Sequence, residues 1–397
     1  MTTTLFGRVR RVVSAPARAY RRIISGDPDI SNADLDRDVI ITGYYGAGNF
    51  GDDLISNYVL RLACDAIPAA RIAVDAPSNS YLERWFPGIK CVPLEKFSKH
   101  PSMTRRKVVF GGGGLFHAFP PATAANLWGL EKATIYQYWR RFGGKNWAHS
   151  RKYAFCVGVG PLEGKGAQWI TGELLADFER ISVRDEYSTK FLSNLGVKNT
   201  VAGADPSVAL IDLLPSGIEH GRQTLGIIVR GWIHPPSIDG FITSLHAAAQ
   251  LLRAAGWQVQ FISFQSGNYE PAQHQVTRFL QDKREVIREW DPNEEDILSF
   301  CQYMRNFSTV LTMRAHGIFL SAILGAVPIA VLVEPKLMIT ASVCGFADQT
   351  ISINSDSEEI VAAVNRANGK CPSRNWHSDL RLLQDESSRL CQWLRSI

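Results

Sequence analysis

Apolar residues along this chain fall in short runs, and amphipathic stretches separate them. In the first half the runs are Asp38–Thr42, Arg71–Ala76, Lys107–Phe110, Tyr153–Val159, Arg180–Val183 and Thr200–Ala202. In the second they are Leu225–Val229, Gln258–Phe264, Thr309–Thr312 and Ile329–Val333. Each is short and rich in β-branched residues, as buried strands are. Between them, apolar positions recur at helical spacing: Leu54, Ile55, Tyr58, Val59 and Leu62; Gly172–Phe178; Ser188–Leu195; Ile238–Ala255; and Asp291–Met304, with Asp291-Pro292 as its start. Strand alternating with helix predicts parallel α/β sheets. The pattern lapses into polar, Gly and Pro residues at Leu214–Arg222, which predicts a boundary between two Rossmann-like domains, 38–215 and 216–375. A basic segment, 1–37, precedes them. An amphipathic helix within 376–397 follows and is expected to pack back across the domains.

Thr312–Lys336 concentrates the chemistry. It reads as strand, helix and strand, with Arg314 and His316 where the first strand gives way to the helix and Lys336 beyond the second strand. Parallel strands bring these three residues to one sheet edge, the carboxyl edge at which open α/β sheets bind ligands. The helix amino terminus adds positive partial charge, so the edge suits a small anion. Arg184 and Arg230 stand at the ends of other strands. Two glycine-rich stretches also follow strands. In Gly43–Ile55, Asn49 and Asp52 suit hydroxyl binding or anchoring of the loop, and Asp52 equally suits a helix cap. In Gly111–Gly114, Gly112 and Gly113 would expose backbone N–H groups as an anion nest, or make a tight packing turn; His117 is placed to face the same cleft. Asp205 before Pro206 reads as a turn former or a hydroxyl ligand.

Composition narrows the class. Of 397 residues, 45% are hydrophobic and 20% charged, as in a folded, non-membrane protein. A net charge of +5 without any zinc-finger or RNP-like pattern does not indicate nucleic-acid binding. The seven cysteines are scattered without a C-x-x-C pair, so neither a disulfide framework nor a zinc site is expected, and no metal is assigned. A reducing, cytoplasmic location is expected, with no secretory signal or membrane-spanning helix. Residues 1–25 mix Arg8, Arg10, Arg11, Arg18, Arg21 and Arg22 with apolar residues; they read either as a peripheral contact with an anionic membrane surface or as a solvated tail. The aromatic, basic stretch Asn126–His149 suits either sugar stacking or core packing.

The ordered set GYYGAGNFGDD (Gly43–Asp53), GGGGL (Gly111–Leu115), SVRDEYS (Ser182–Ser188), LGV (Leu195–Val197), ADPS (Ala204–Ser207) and MRAHGIFLSAILGAVP with its EPK resembles the polysaccharide pyruvyl transferase family over about residues 38–345. Family chains generally begin near the first strand, and the resemblance says nothing of the roughly 37 residues before it here.

The resemblance implies two Rossmann-like domains facing across a cleft in a GT-B-like arrangement. It implies transfer of a pyruvyl group from phosphoenolpyruvate to a sugar, usually as a cyclic ketal, in an exopolysaccharide or cell-wall polymer. The donor is a substrate and no cofactor is required; the acceptor is a sugar, free or on a lipid-linked oligosaccharide. Arg314, Arg230 and Lys336 are then the candidate donor-binding cations, with Arg184 and the Gly111–Gly114 stretch secondary. His316 is the candidate proton donor, and Asp52 orients or deprotonates an acceptor hydroxyl. Two other readings stand beside this one. A glycosyltransferase of the same fold would use a nucleotide sugar, with Glu334 as the only obvious carboxylate for a ribose. A scaffold of a polymer-assembly complex would use the basic tail and a degenerate cleft.

Overall fold

The computed structural model describes residues 30–97, 106–118, 150–162, 165–214, 223–232, 237–265, 271–370, 372 and 374–396. Residues 1–25, all of 126–149 and the segment 215–222, which carry the membrane, aromatic and boundary readings, lie outside them. Among the described residues thirteen strands form two sheets. The first contains β1 (Val39–Thr42), β2 (Ile72–Val74), β3 (Lys90–Cys91), β4 (Lys107–Ala118), β5 (Arg151–Leu162), β6 (Arg180–Val183) and β7 (Thr200–Ala202), in the order β3-β2-β1-β4-β5-β6-β7. The second contains β8 (Thr224–Val229), β9 (Gln258–Ser263), β10 (Ile287–Glu289), β11 (Thr309–Thr312), β12 (Val327–Val331) and β13 (Thr350–Ile351), in the order β10-β9-β8-β11-β12-β13. Every pairing between these strands is parallel. Both sheets reverse their strand order once, beside β1 and β8, and that is where open α/β sheets leave a crevice for ligands.

The strands at the crevice are buried on both faces, as parallel strands covered by helices must be. Five helices matter for the site: α1 (Phe50–Ala66), α2 (Glu186–Asn194), α3 (Ala315–Ile323), α4 (Pro335–Val343) and α5 (His377–Arg395). The terminal α5 turns its leucines, Leu380, Leu383, Leu390 and Leu394, into the core. It returns to the first sheet, where its Glu386 accepts from Tyr153 Oη at 3.2 Å and Arg180 Nε at 2.9 Å, and Ser387 bonds Tyr58 of α1.

Four sequence expectations need correction. The four glycines of Gly111–Gly114 do not form a loop; they lie inside the long strand β4. The register of β4 against β5 slips after Gly113, and Gly112 and Gly113 carry positive φ, so the strand bulges there. Side chains are excluded because α1 lies against the strand: a Cβ on Gly112 would fall 2.6 Å from Ile55 Cγ2. Second, the strand expected at Ile329–Val333 is β12, Val327–Val331, so Pro328 lies within it. Val327 donates its N–H to Ser308 O, just before β11, so the position lacking an N–H faces the side on which β13 pairs only from Ala330. Third, the helix foreseen from Asp291 begins at Ile297, capped by Asp296, whose carboxylate accepts from Ser299 N. Fourth, β5 continues through Gly160-Pro161 to Leu162 by way of a cis peptide bond.

The two domains share a core. Phe50 and Leu54 of α1 join Phe264, Trp290 and Phe300 of the second domain in one buried cluster. The Phe50 ring centroid is 5.0, 5.1 and 4.6 Å from those of Phe264, Trp290 and Phe300, within the range of favourable aromatic pairs. Polar bonds reinforce the contact: Phe50 N–H donates to Phe264 O at 2.8 Å, Trp290 Nε1 to Asp53 Oδ2 at 2.8 Å and Gln265 Nε2 to Ala47 O at 3.1 Å. These ties fix the glycine-rich loop and the start of α1 against the second sheet.

Candidate active site

A polar cavity of about 270 Å³ lies between the carboxyl edges of the two sheets. Tyr44, Asn49, Asp52, Gly114, Leu115, His117 and Arg184 line it from the first domain; Arg230, Gln265, Arg314, Ala315, His316 and Lys336 line it from the second. Eight residues singled out in the sequence are therefore brought together: Asn49, Asp52, His117, Arg184, Arg230, Arg314, His316 and Lys336. Gly112 and Gly113 are buried and do not line the cavity; Gly114 does. A larger, more open depression of about 670 Å³ around Trp169, Lys165 and Lys198 sits apart from these residues.

Buried carboxylates hold the cations in place. Glu334 accepts from Arg230 Nη1 at 2.8 Å and lies 3.2 Å from Lys336 Nζ. Burial pushes its pKa up, but Lys336 and Arg230 overcome that and hold it at about 2. Arg184 donates from Nη1 to Asp205 at 2.9 Å and lies 3.5 Å from Asp185. Arg314 donates to Gln265 Oε1 at 3.0 Å, and Gln265 in turn bonds the glycine-rich loop.

Asp52 sits in the first turn of α1 but caps nothing: the N-cap is Asn49, and no side-chain cap bond is made. The cap reading is thereby corrected. Burial in the cavity pushes its pKa up to about 6, with Lys336, Arg314, Arg184 and Arg230 pulling the other way. Its neighbour Asp53 points away from the cavity and accepts from Tyr81 Oη and Trp290 Nε1.

His316 stands in the first turn of α3. Burial pushes its pKa down to about 4; Asp205 opposes this, while Arg184, Lys336 and Arg314 add to it. The ring packs on the backbone of α1, where a Cβ on Gly51 would lie 2.1 Å from His316 Nδ1. His117 bonds Gly114 O at 2.7 Å and is also pushed down to about 4, by burial first and then by Lys336.

The helices that begin at the cavity share a trait. The N-caps of α1, α3 and α4 (Asn49, Arg314 and Glu334) make no side-chain cap bond. By contrast, α2 is capped by Asp185. The positive ends of α1, α3 and α4 are thus directed at the space between the domains. Among the described residues no group of three His, Cys, Asp or Glu side chains is arranged to hold a metal ion.

A model of the polysaccharide pyruvyl transferase family matches residues 49–335, most of the chain and all of this cavity wall except Tyr44 and Lys336. The chain belongs to the polysaccharide pyruvyl transferase family. It is accordingly a transferase enzyme of pyruvyl transfer to polysaccharide. No curated protein matches the sequence. Among solved structures, UDP-GlcNAc 2-epimerase from Neisseria meningitidis is 11% identical, with 90% of this chain and 99% of that chain covered at a TM-score of 0.53. The corresponding enzyme of Methanocaldococcus jannaschii is 11% identical over 88% and 99% of the two chains, at a TM-score of 0.50. These likenesses concern the fold, two Rossmann-like domains in a GT-B-like arrangement.

Reading the sequence of this pyruvyl transferase missed Gln265 and Tyr44 as cavity residues and gave Glu334 and Asp205 other roles. Gln265 ends a strand as Arg230 does, which was the available signal. Glu334 is committed to Arg230 and Lys336, which leaves it poorly placed to receive a ribose.

Proposed function

We propose that the cavity binds phosphoenolpyruvate and transfers its pyruvyl group to two hydroxyls of a glycan as a cyclic ketal, releasing phosphate. One observation carries this reading. Arg184, Arg230, Arg314 and Lys336 converge on one cavity, below the ~300–1,000 Å³ of ordinary ligand pockets, that also holds a carboxylate from one domain and an imidazole from the other. A donor with a phosphate and a carboxylate needs several fixed cations in a small space, and guanidinium groups bind both anions in bidentate fashion.

The chemistry follows from the placement. His316, protonated, delivers its proton to the vinyl CH2, which becomes the methyl group as positive charge develops at C2. Burial first, and then Arg184, Lys336 and Arg314, otherwise hold His316 neutral, and the donor's negative charge offsets those cations. A sugar hydroxyl attacks C2 and yields its proton to Asp52. The second hydroxyl attacks C2, the C2–O bond to phosphate breaks, and phosphate leaves with the second proton. Donor and diol thus become ketal and inorganic phosphate. The acceptor is a sugar of a cell-surface or exopolysaccharide glycan, free or lipid-linked, and residues 1–25 are proposed to contact the inner face of the cytoplasmic membrane.

Thermal unfolding with added ligands tests donor choice. Phosphoenolpyruvate at millimolar concentration should raise the midpoint by several degrees. Stabilisation by a uridine diphosphate sugar and none by phosphoenolpyruvate would replace this reading with glycosyl transfer.

A further inference from the structure

His316 and Asp205 meet across the domain interface, one in the first turn of α3 and the other just beyond β7. His316 Nε2 is buried and lacks a hydrogen-bond partner, and Asp205 Oδ2 lies 3.8 Å from it. Asp205 is itself fixed: its side chain is 0% exposed, Oδ1 accepts from Ser207 N at 3.1 Å and Ser207 Oγ at 2.7 Å, and Oδ2 accepts from Arg184 at 2.9 Å. The imidazole is held from another side by Gly51. A buried donor or acceptor left unpaired is costly, and 3.8 Å is too long for a hydrogen bond. An approach of the domains by about 1 Å would form one.

We propose that Asp205 is the positioning residue for His316, accepting a hydrogen bond from Nε2–H across the domain interface so that Nδ1 becomes the nitrogen that meets the substrate. The inference rests on His316 being the proton donor. A carboxylate on one ring nitrogen fixes the tautomer and orientation of the ring and supports its positive charge. The charges around the ring favour this role. Arg184, Lys336 and Arg314 oppose protonation of His316, and Asp205 is the carboxylate that counters them. Despite its burial, Asp205 stays below the usual carboxylate range because Arg184, His316 and Ser207 surround it. The two residues come from different domains, so enclosing the donor and completing the acid are one movement.

The test uses the full chain with isotope-labelled histidine side chains, the His316 resonances being assigned by their loss in His316→Gln. With phosphoenolpyruvate bound, His316 should carry its proton on Nε2 when neutral. In Asp205→Asn its titration midpoint should fall by more than one pH unit. The kcat for phosphate release should drop about 100-fold, its basic limb moving to lower pH, while KM for phosphoenolpyruvate stays within about threefold. A loss confined to KM would show that Asp205 serves Arg184 alone and would overturn the inference, as would an unchanged midpoint. If Asp205→Asn does not fold, the wild-type tautomer decides, and a proton on Nδ1 in the donor complex refutes the pairing. Full activity in His316→Gln sinks the proton-donor reading itself; activity lost in His316→Gln but kept in Asp205→Asn sinks only the role given to Asp205.

Discussion

Gly51 offers a sharp perturbation, because one added methyl group reaches the proposed acid from the other domain. A Cβ at Gly51 would lie 2.1 Å from His316 Nδ1, 2.3 Å from Cγ and 2.6 Å from Cβ, against the 3.4 Å or more of ordinary contact. Rotating the ring cannot relieve the clash with His316 Cβ, so α3 or the whole second domain must move by about 1 Å. A displacement of about 1 Å at a reacting group costs on the order of 100-fold in rate, or about 2.7 kcal/mol. Stability should change less. Overpacking costs roughly 1–3 kcal/mol, and replacing glycine inside a helix returns about 1 kcal/mol. Gly51→Ala should therefore lower kcat for phosphate release from phosphoenolpyruvate about 100-fold, with an unfolding free energy within about 2 kcal/mol of the parent. A kcat within threefold of the parent would refute the reasoning, since it would mean that the position of His316 does not matter.

Arg314→Ala and His316→Ala should each abolish turnover with the fold intact by circular dichroism; near-normal rates in both would remove the proposed chemistry. Asp52 acts as a base only when ionised, so kcat at saturating donor, where the bound anion keeps His316 protonated, should fall as pH drops through the raised range of the Asp52 carboxyl, and Asp52→Asn should lose this acid limb together with most of the activity. Phe50→Ala removes a ring buried against Phe264, Trp290 and Phe300 and should cost about 3–5 kcal/mol in denaturant unfolding. Because those partners belong to the other domain, the single transition should split into two; a monophasic curve shifted by less than ~1 kcal/mol would contradict a shared core.

Much of this architecture was legible because period and punctuation agreed. β6, β7 and β11 lie at the residues their apolar runs indicate, and the parallel order of the strands carries Arg230, Arg314 and Lys336 to one edge of the second sheet without further information; Arg184, on the first sheet, joins them only through the packing of the two domains. Glycine misled where tertiary packing, and not turn geometry, required it. Gly111 and Gly112 stay in a strand because Tyr45 and Ile55 occupy the space of their side chains, a contact between residues far apart in sequence. Asp291-Pro292 looked like a helix start because both residues favour one, yet the chain turns there and Asp296 makes the cap. Residues whose role depends on the second domain were the least visible. Asp205 has the local signature of a turn, which it also fulfils through Ser207, and nothing in its neighbourhood announces His316. Glu334 stands two residues before Lys336, but its bond to Arg230 exists only because β8 and β12 flank β11.

The central claim is that the four cations of the cavity hold phosphoenolpyruvate while a glycan diol attacks its C2. The most direct measurement incubates the enzyme with phosphoenolpyruvate labelled with carbon-13 at C2 and C3, together with a panel of lipid-linked and synthetic oligosaccharides, and follows carbon NMR and phosphate release in parallel. The expected result is an acceptor-dependent conversion of the vinyl signals to a ketal carbon and a methyl group, with one phosphate released per ketal. Intact phosphoenolpyruvate in the presence of an acceptor that the same enzyme glycosylates from a nucleotide sugar would contradict it.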